Sequence, residues 1–488
     1  MELNLVQQPD TKPLLDESLL PLCVDLDGTL IRSDLLLESF LALIKLNPLY
    51  LFLMPFWLLR GKAALKAEIA DRVQIDPSTL PYHQPFLSWL KIQAALGRTL
   101  YLCTASNNAL VTPIAAYLGI FAGVMASDGQ TNLSGSRKAA RLVSQFGDKG
   151  FDYCGNAPID LAVWRQAHGA IVVEGGDALV AKAATKATVV ARFDSVRQPL
   201  KSFIKAIRLH QWAKNALIFV PLLAAHRFHE WDALADAMLA FMAFGLCASS
   251  VYLLNDLLDL AADRQHARKC NRPFASGSLS LLTGICVAPL MLIIGLLLAC
   301  LLPIQFIGVL AGYYLLTLAY SFDLKRRVLI DALTLAALYT VRLVAGAAAV
   351  GVPLSFWLLL FSVFLFLSLA LVKRYAELYD LRASGGLSAA GRGYHVEDLP
   401  VLQSLGTAAG YLSVLVLALY INSSDVLNLY HRPEWIWGLC GLMLFWISRV
   451  WLLAQRGDMH DDPVVFALQD RGSQVVGLLA ALSIWLAV

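Results

Sequence analysis

Of the 488 residues, 58% are hydrophobic and only 15% charged, with a mean hydropathy of +0.61. A soluble globular chain carries about a quarter charged residues, so this composition excludes a disordered or collagen-like chain and points to a polytopic membrane protein. The 39 Lys+Arg against 36 Asp+Glu leave a net charge of +3, too little for the basic patch that nucleic acid requires.

The first 20 residues are polar, with Asp10, Asp16 and Glu17, and do not follow the basic-then-apolar order of a signal peptide. Residues 1–195 then alternate short apolar runs (Leu22–Asp25, Thr99–Thr104, Asp152–Gly155, Ala170–Val173) with helix-like stretches, the rhythm of an α/β domain with a parallel sheet. Residues 33–95 read as a helical cap, apolar at Leu35–Leu59. Pro48, Pro55, Glu38 and Lys45 interrupt that run, so a hairpin lying on the membrane surface is expected rather than a tenth crossing. Residues 196–210, with Arg197, Lys201, Lys205 and Arg208, form a basic amphipathic connector suited to an anionic leaflet.

Residues 211–488 hold about nine apolar segments long enough to be membrane helices, near 214–226, 234–255, 281–302, 304–321, 328–350, 355–372, 401–421, 435–451 and 472–488. Lys and Arg concentrate after the second, fourth, sixth and eighth of these, for example at Arg264, Lys269, Lys325, Lys373 and Arg449, whereas the opposite loops hold only Arg227 and Arg432. The positive-inside rule then places the charged loops and the N-terminal domain in the cytoplasm, and the C-terminus outside, in a multi-pass cell-membrane protein. The eight cysteines include no CxxC pair. Cys23, Cys103, Cys247, Cys286 and Cys300 lie in apolar runs, which predicts reduced, buried thiols.

The run Leu22-Cys23-Val24-Asp25-Leu26-Asp27-Gly28-Thr29-Leu30 carries an apolar strand into two carboxylates at a sheet's carboxyl edge, where open α/β folds bind ligands. It resembles motif one of the haloacid dehalogenase (HAD) superfamily. The remaining motifs of that superfamily have counterparts in order: Thr104 ending the strand from Leu100, Lys138 in Gly135-Ser136-Arg137-Lys138, and Gly155-Asn156-Ala157-Pro158-Ile159-Asp160. The resemblance implies a phosphatase with Asp25 as nucleophile, Asp27 as general acid/base, Thr104 and Lys138 on the phosphoryl group, and Mg²⁺ held by Asp25, Asp27, Asn156 and Asp160. Asn156 departs from the pattern, which has an acid there. A carboxylate attacks phosphorus only when a cation and nearby donors suppress the charge repulsion.

In the second half, Asn255-Asp256-Leu257-Leu258-Asp259 leads to Asp263. On one continuous helix, Asp256, Asp259 and Asp263 share a face at i, i+3 and i+7. Like charges at that spacing repel, and a divalent cation with a phosphorylated substrate relieves the conflict; neutralisation by Arg264, Arg268, Lys269 and Arg272 is the alternative. The run through His266 to Arg272-Pro273 resembles the first aspartate-rich motif of the UbiA superfamily of membrane prenyltransferases. Tyr320-Ser321-Phe322-Asp323-Leu324-Lys325 and the start at His210-Gln211-Trp212-Ala213-Lys214-Asn215 extend the resemblance over 205–488.

Aromatic prenyltransferases of that superfamily carry a second acidic cluster where this chain has Lys325-Arg326-Arg327. Lys373-Arg374-Tyr375-Ala376-Glu377, Gly391-Arg392-Gly393-Tyr394 and Asp461-Asp462-Pro463 through Asp470-Arg471 resemble instead the polyprenyl-phosphate phosphoribosyltransferase branch. That branch implies transfer of 5-phosphoribose from phosphoribosyl diphosphate to a polyprenyl phosphate. Asp256, Asp259 and Asp263 would hold Mg²⁺ on the leaving diphosphate, while Lys214, Arg264, Lys269, Arg272, Lys325, Lys373 and Arg374 would clamp phosphates beside Asn215, Asn255 and Tyr320. Arg342, inside the fifth span with Asp331 on the same face, is costly at bilayer depth and is expected either to face a cavity or to sit in an interhelical ion pair.

The expected architecture is thus a HAD-like Rossmannoid α/β domain with a helical cap, followed by an all-α UbiA-like bundle. Competing readings are a prenyltransferase moving a prenyl group from a prenyl diphosphate to an aromatic acceptor, and a transporter or scaffold with a relic α/β domain.

Overall fold

The computed structural model describes residues 20–128, 131–194, 198–266, 268–387, 392–423, 430–459 and 463–487. The acidic residues of the N-terminus, Arg197, Gly391, Asp461 and Asp462 lie outside the described residues. Two compact units divide the chain: residues 1–206 with 256–285, and residues 207–255 with 286–488. This division breaks within the expected connector, after residue 206, and assigns the segment from Asp256 to Ile285 to the first unit.

The first unit is built on six parallel strands: β1 (Leu22–Val24), β2 (Leu100–Asn107), β3 (Gly123–Ser127), β4 (Asp152–Gly155), β5 (Gly169–Val173) and β6 (Thr188–Phe193), in the order β3-β2-β1-β4-β5-β6. β1, β4 and β5 are buried throughout, as strands covered on both faces by helices must be. Chain order reverses at β1, which pairs Leu22 with Leu100 on one side and with Asp152 on the other. A crevice at such a switch point is where open α/β sheets bind ligands, and the residues leaving β1 and β4 are Asp25 and Asn156.

Between β1 and β2 come α1 (Leu35–Leu46), α2 (Tyr50–Leu59), α3 (Lys62–Ala70) and α4 (Gln84–Ala95). Asp34 caps α1 by accepting from the Leu37 amide. Leu43, Trp57, Ile69 and Val73 form a small core of the first three helices, whereas Phe86, Leu87 and Leu90 of α4 pack into the main sheet core. Leu35 of α1 and Ala70 of α3 join the same main core. α2 has ten residues, about half of what a bilayer crossing needs. Among its side chains, Leu51, Phe52, Leu53, Phe56, Leu58 and Leu59 are exposed and only Trp57 is buried.

The sheet helices continue as α5 (Asn108–Leu118), α6 (Ser136–Phe146), α7 (Leu161–Trp164) and α8 (Asp177–Ala184), and α9 (Pro199–Ala206) forms the connector.

In the remaining chain, α10 (Val220–Ala224), α11 (Trp231–Leu258), α12 (Leu260–Gln265), α13 (Leu281–Ala299), α14 (Ile304–Phe322), α15 (Ile330–Val350), α16 (Phe356–Ala383), α17 (Leu399–Ile421), α18 (Trp437–Arg456), α19 (Pro463–Gln469) and α20 (Arg471–Ala487) follow. Among the described residues, seven helices are long and apolar enough to cross a membrane, not nine. The segment expected at 214–226 is a 3₁₀ stretch, Leu209–Phe219, followed by the five-residue α10 with Pro221 in its first turn. The last expected span, α20, reaches only 17 residues. Pro303 separates α13 from α14 as the N-cap of the latter. Cys23, Cys103, Cys154, Cys247 and Cys440 are buried thiols, but Cys286 and Cys300 are exposed on an apolar helix and just beyond its end, contrary to the reading of their runs. An apolar run marks a membrane helix without saying which of its faces meets protein.

Candidate active sites

Within the first unit the strand ends gather a dense polar cluster. Lys138, carried in the first turn of α6, donates from Nζ to Asp25 Oδ1 at 2.9 Å and to the Tyr153 hydroxyl at 2.9 Å. Tyr153 donates in turn to Asp160 Oδ1 at 3.1 Å, and Asp160 Oδ2 accepts from the amides of Asn156 and Ala157, each at 3.0 Å. Asp27 accepts from the Leu35 amide at 2.7 Å, from Ser106 Oγ at 2.7 Å and from Thr104 Oγ1 at 3.3 Å.

Gly28 is required where it stands. Its φ is +73°, and a Cβ there would lie 2.1 Å from the Asn156 side-chain nitrogen. The Asn156 amide thus rests on the backbone of the first motif, so all six residues singled out in this domain meet at one end of the sheet. Three participants carried no sequence signal of their own. Lys66 of α3 donates to the Ala105 carbonyl at 2.6 Å and to Asn132 Oδ1 at 3.1 Å; Ser106 and Tyr153 were indistinguishable from ordinary strand residues.

Burial pushes the Asp27 carboxyl up to about 7, with Asp34 and Asp25 adding repulsion. Burial likewise raises Asp160 to about 6; Asp25 adds to the rise, while Lys138 opposes it. Burial disfavours the Lys138 ammonium, but Asp25 and Asp160 outweigh it and hold the group above its ordinary value. Lys66 is lowered, chiefly by burial.

The cluster is therefore richer in carboxylate than its lysines balance, and its donors are hard oxygens suited to Mg²⁺. Among the described residues, no three acidic, histidine or cysteine side chains form a ready-made metal cage. Mg²⁺ needs none, because it commonly binds one or two carboxylates, with waters and a substrate phosphate completing its shell.

The aspartate-rich segment behaves differently from its sequence pattern. The helix breaks at Asp259 (φ −101°, ψ 16°), between α11 and α12, so the three aspartates do not share one helical face. Asp256 and Asp263, both buried, converge on Arg272 Nη1 at 3.0 and 2.7 Å. Asp259 instead accepts from Lys45 Nζ of α1 at 3.0 Å. Arg264 is turned to Glu38 of α1 in a buried two-pronged pair at 2.6 and 3.0 Å. Lys269 is exposed. The two carboxylates thus meet on one guanidinium nitrogen, and their oxygens are of the hard type that Mg²⁺ takes.

The second unit holds two further polar clusters. Arg342 donates to Asn215 Oδ1 at 3.0 Å, to the Leu338 carbonyl and to the Tyr313 hydroxyl at 3.4 Å, and its guanidinium lies 5.2–5.6 Å from the ring centres of Phe244, Tyr313 and Tyr339. Lys214 lies 5.3 Å from the Tyr339 ring centre. Asp331 does not partner Arg342. It pairs with Arg374, 43 residues away, and accepts from the Tyr320 hydroxyl at 2.8 Å. Arg374 also pairs with Glu377, which Arg392 joins. Lys325 and Lys373 are half-buried, as is Asn255 near the end of α11.

A parallel α/β unit on one chain with a bundle of long apolar helices defines an integral membrane protein carrying a soluble-type domain. Residues 216–469 match the UbiA prenyltransferase family, and the chain belongs to it. It is a UbiA-family transferase of the membrane. The uncharacterized protein y4nM of Sinorhizobium fredii is 38% identical over 465 residues, covering 95% of this chain and 90% of that protein. Nodulation protein NoeC of Azorhizobium caulinodans is 37% identical over 289 residues, 59% of this chain and 93% of its own. Decaprenyl-phosphate phosphoribosyltransferase of Mycobacterium tuberculosis is 31% identical over 294 residues, 58% of this chain and 95% of its own. Among solved structures, digeranylgeranylglyceryl phosphate synthase aligns with 59% of this chain and 98% of its own at 18% identity and a TM-score of 0.44.

Proposed function

We propose that the chain transfers 5-phosphoribose from phosphoribosyl diphosphate to a polyprenyl phosphate with Mg²⁺, and that its α/β unit is a HAD-type phosphatase acting on the 5-phosphate of the product. The transferase half of the reading is supported by the 31% identity to a decaprenyl-phosphate phosphoribosyltransferase along nearly all of that protein. The basic run Lys325-Arg326-Arg327 suits two phosphorylated substrates better than it suits a second metal. Mg²⁺ at Asp256 and Asp263 would stabilise charge on the departing diphosphate. Arg272, which pairs with both carboxylates, would be placed to hold a phosphate oxygen beside the ion. The lipid phosphate is already an oxyanion, so its attack needs alignment rather than a strong base.

In the α/β unit, Asp25 attacks phosphorus with Lys138 holding the phosphoryl oxygens. Asp27, whose carboxyl burial pushes up to about 7, gives a proton to the leaving ribose oxygen. Deprotonated Asp27 then draws a proton from the water that opens the aspartyl-phosphate.

The single observation that carries the coupled reading is α1. Its first amide, Leu35 N, donates to Asp27; one turn on, Glu38 grips Arg264; near its end, Lys45 reaches Asp259. One helix, with about 15 Å between Leu35 and Lys45, touches the expected acid of the phosphatase and two residues of the aspartate-rich segment. A phosphorylated product released there meets the phosphatase at high effective concentration.

The test offers purified protein labelled phosphoribosyl diphosphate with polyprenyl phosphate and, separately, labelled prenyl diphosphate with 4-hydroxybenzoate. Label entering the lipid phase from the first pair alone is expected. Prenylated aromatic product from the second pair, with no ribosyl lipid from the first, would overturn the reading.

A further inference from the structure

The first unit contains a second polar recess with no part in either reaction. It has a volume of about 280 Å³, the size of a headgroup rather than of a whole lipid, and is walled by α9, by the loop that follows Arg272 and by Arg32. Lys201 and Lys205 line it from successive turns of α9, with Ser202 between them and Ser278 opposite. Lys205 donates to the Asn271 carbonyl at 2.8 Å, which leaves two of its three protons for other acceptors. Among the described residues, the only carboxylate in the lining is Glu174, whose side chain is buried and lies 3.2 Å from Arg32.

Three cations thus face one committed carboxylate. Like charges at i and i+4 repel, and a bound anion relieves that repulsion. Ser202 Oγ donates to Ser278 Oγ at 3.5 Å and Ser278 Oγ to the Pro273 carbonyl at 3.2 Å, and either hydroxyl can turn from that partner to an anion oxygen.

The recess is constructed, not incidental. Gly277 at its edge has φ +71°, and a Cβ there would lie 2.6 Å from Arg32 Cβ and 2.9 Å from its carbonyl oxygen, so the loop closes on Arg32 only with glycine at that position. On α9 itself, Leu200 and Ile204 are 71% and 44% exposed, one residue before each lysine. Apolar side chains flanking cations on a short amphipathic helix are the pattern of an element lying in a membrane interface, where the abundant anion is a lipid phosphate.

We propose that this recess, formed by Lys201, Ser202, Lys205, Arg32 and Ser278, is a binding site for a phosphate group, that of an anionic phospholipid headgroup in the first instance. It would hold the connector and the loop after the aspartate-rich segment to the bilayer surface. Binding should weaken with salt, because the lysines are exposed.

The full chain in detergent with EDTA, which disables metal-dependent phosphate binding elsewhere, is titrated with short-chain phosphatidylglycerol, with inorganic phosphate, and with phosphatidylcholine of the same chain length. One saturable equivalent of phosphatidylglycerol is expected, weakened at least tenfold in Lys201→Gln/Lys205→Gln and retained in Lys201→Arg/Lys205→Arg, with no such equivalent of phosphatidylcholine. Lipid binding that inorganic phosphate does not displace assigns the lipid as the source, and full displacement assigns a soluble phosphate; each supports a phosphate site. Equal binding in wild type and the glutamine variant, or no saturable equivalent of either phosphate ligand, overturns it.

Discussion

Two buried ion pairs in this protein look alike and were unequally visible. In the α/β unit, Lys138 meets Asp25; in the helical unit, Arg374 meets Asp331. The first pair joins the end of a central strand to the first turn of a helix at the sheet's carboxyl edge, where the chain must turn and side chains of different motifs have to converge. The second joins helices 43 residues apart along the chain, and which residue meets which depends on how each helix is rotated about its axis. A strand end fixes the direction of the next side chains; a helix offers a full circle of them.

The largest expected effect tests the first pair. Asp25→Asn should reduce phosphate release by roughly 10⁴-fold or more while transfer continues, so phosphorylated ribosyl lipid accumulates. Lipid extraction and mass spectrometry check this, and equal product mixtures from wild type and variant would refute the coupled pathway. Asp256→Ala should remove transfer at limiting Mg²⁺ without unfolding the protein, as measured by label incorporation beside a thermal melt. Wild-type rates there would sink the metal assignment.

The second pair should answer in stability rather than in chemistry alone. Asp331→Ala leaves the buried Arg374 guanidinium without its main partner, a change that costs about 3–5 kcal/mol and lowers the unfolding temperature in detergent. A shift no larger than that of a surface alanine would show the pair to be expendable.

A smaller effect concerns Asp27. Its folded carboxyl sits at about 7, above its ordinary value. The folded state therefore binds the proton more tightly than the unfolded one, and stability falls as pH rises towards and through about 7. In Mg²⁺-free buffer, Asp27→Asn should melt higher than wild type at pH 8, with the difference shrinking towards pH 5. A difference independent of pH would contradict the raised value.

The smallest concerns Lys45→Ala. The pair with Asp259 is partly exposed and worth about 0–1 kcal/mol at most, so the melt should barely move. Transfer should reach half-maximal rate at lower Mg²⁺, because removing the ammonium leaves more negative charge near Asp256 and Asp263, the carboxylates that would hold the ion. An unchanged Mg²⁺ dependence would separate Lys45 from the metal site.

Composition and apolar run length were enough to read a membrane protein, and the strands beginning at Leu22, Leu100, Asp152 and Gly169 were legible because parallel sheets make continuous apolar runs. The order of the motifs around Asp25, Thr104, Lys138 and Asn156 was legible for the same reason, each being tied to the end of a strand or the start of a helix. Lys66, Ser106 and Tyr153 were not, since a lysine in a cap helix or a tyrosine in a strand looks the same whether or not it reaches a site.

What only the tertiary structure decided is where helices break and what they turn towards. The sequence pattern treats Asp256, Asp259 and Asp263 as one helical stripe, but the backbone departs from the helix at Asp259 and sends that carboxylate to Lys45, while its neighbours share Arg272. The first apolar segment likewise became 3₁₀ turns and a short helix rather than a span, and the last stopped at 17 residues. The physical reason is the same in each case. Hydrophobic periodicity records which residues avoid water, and that is a local property. A helix break and an ion-pair partner depend on long-range packing, which brings α1 against a segment more than 200 residues downstream.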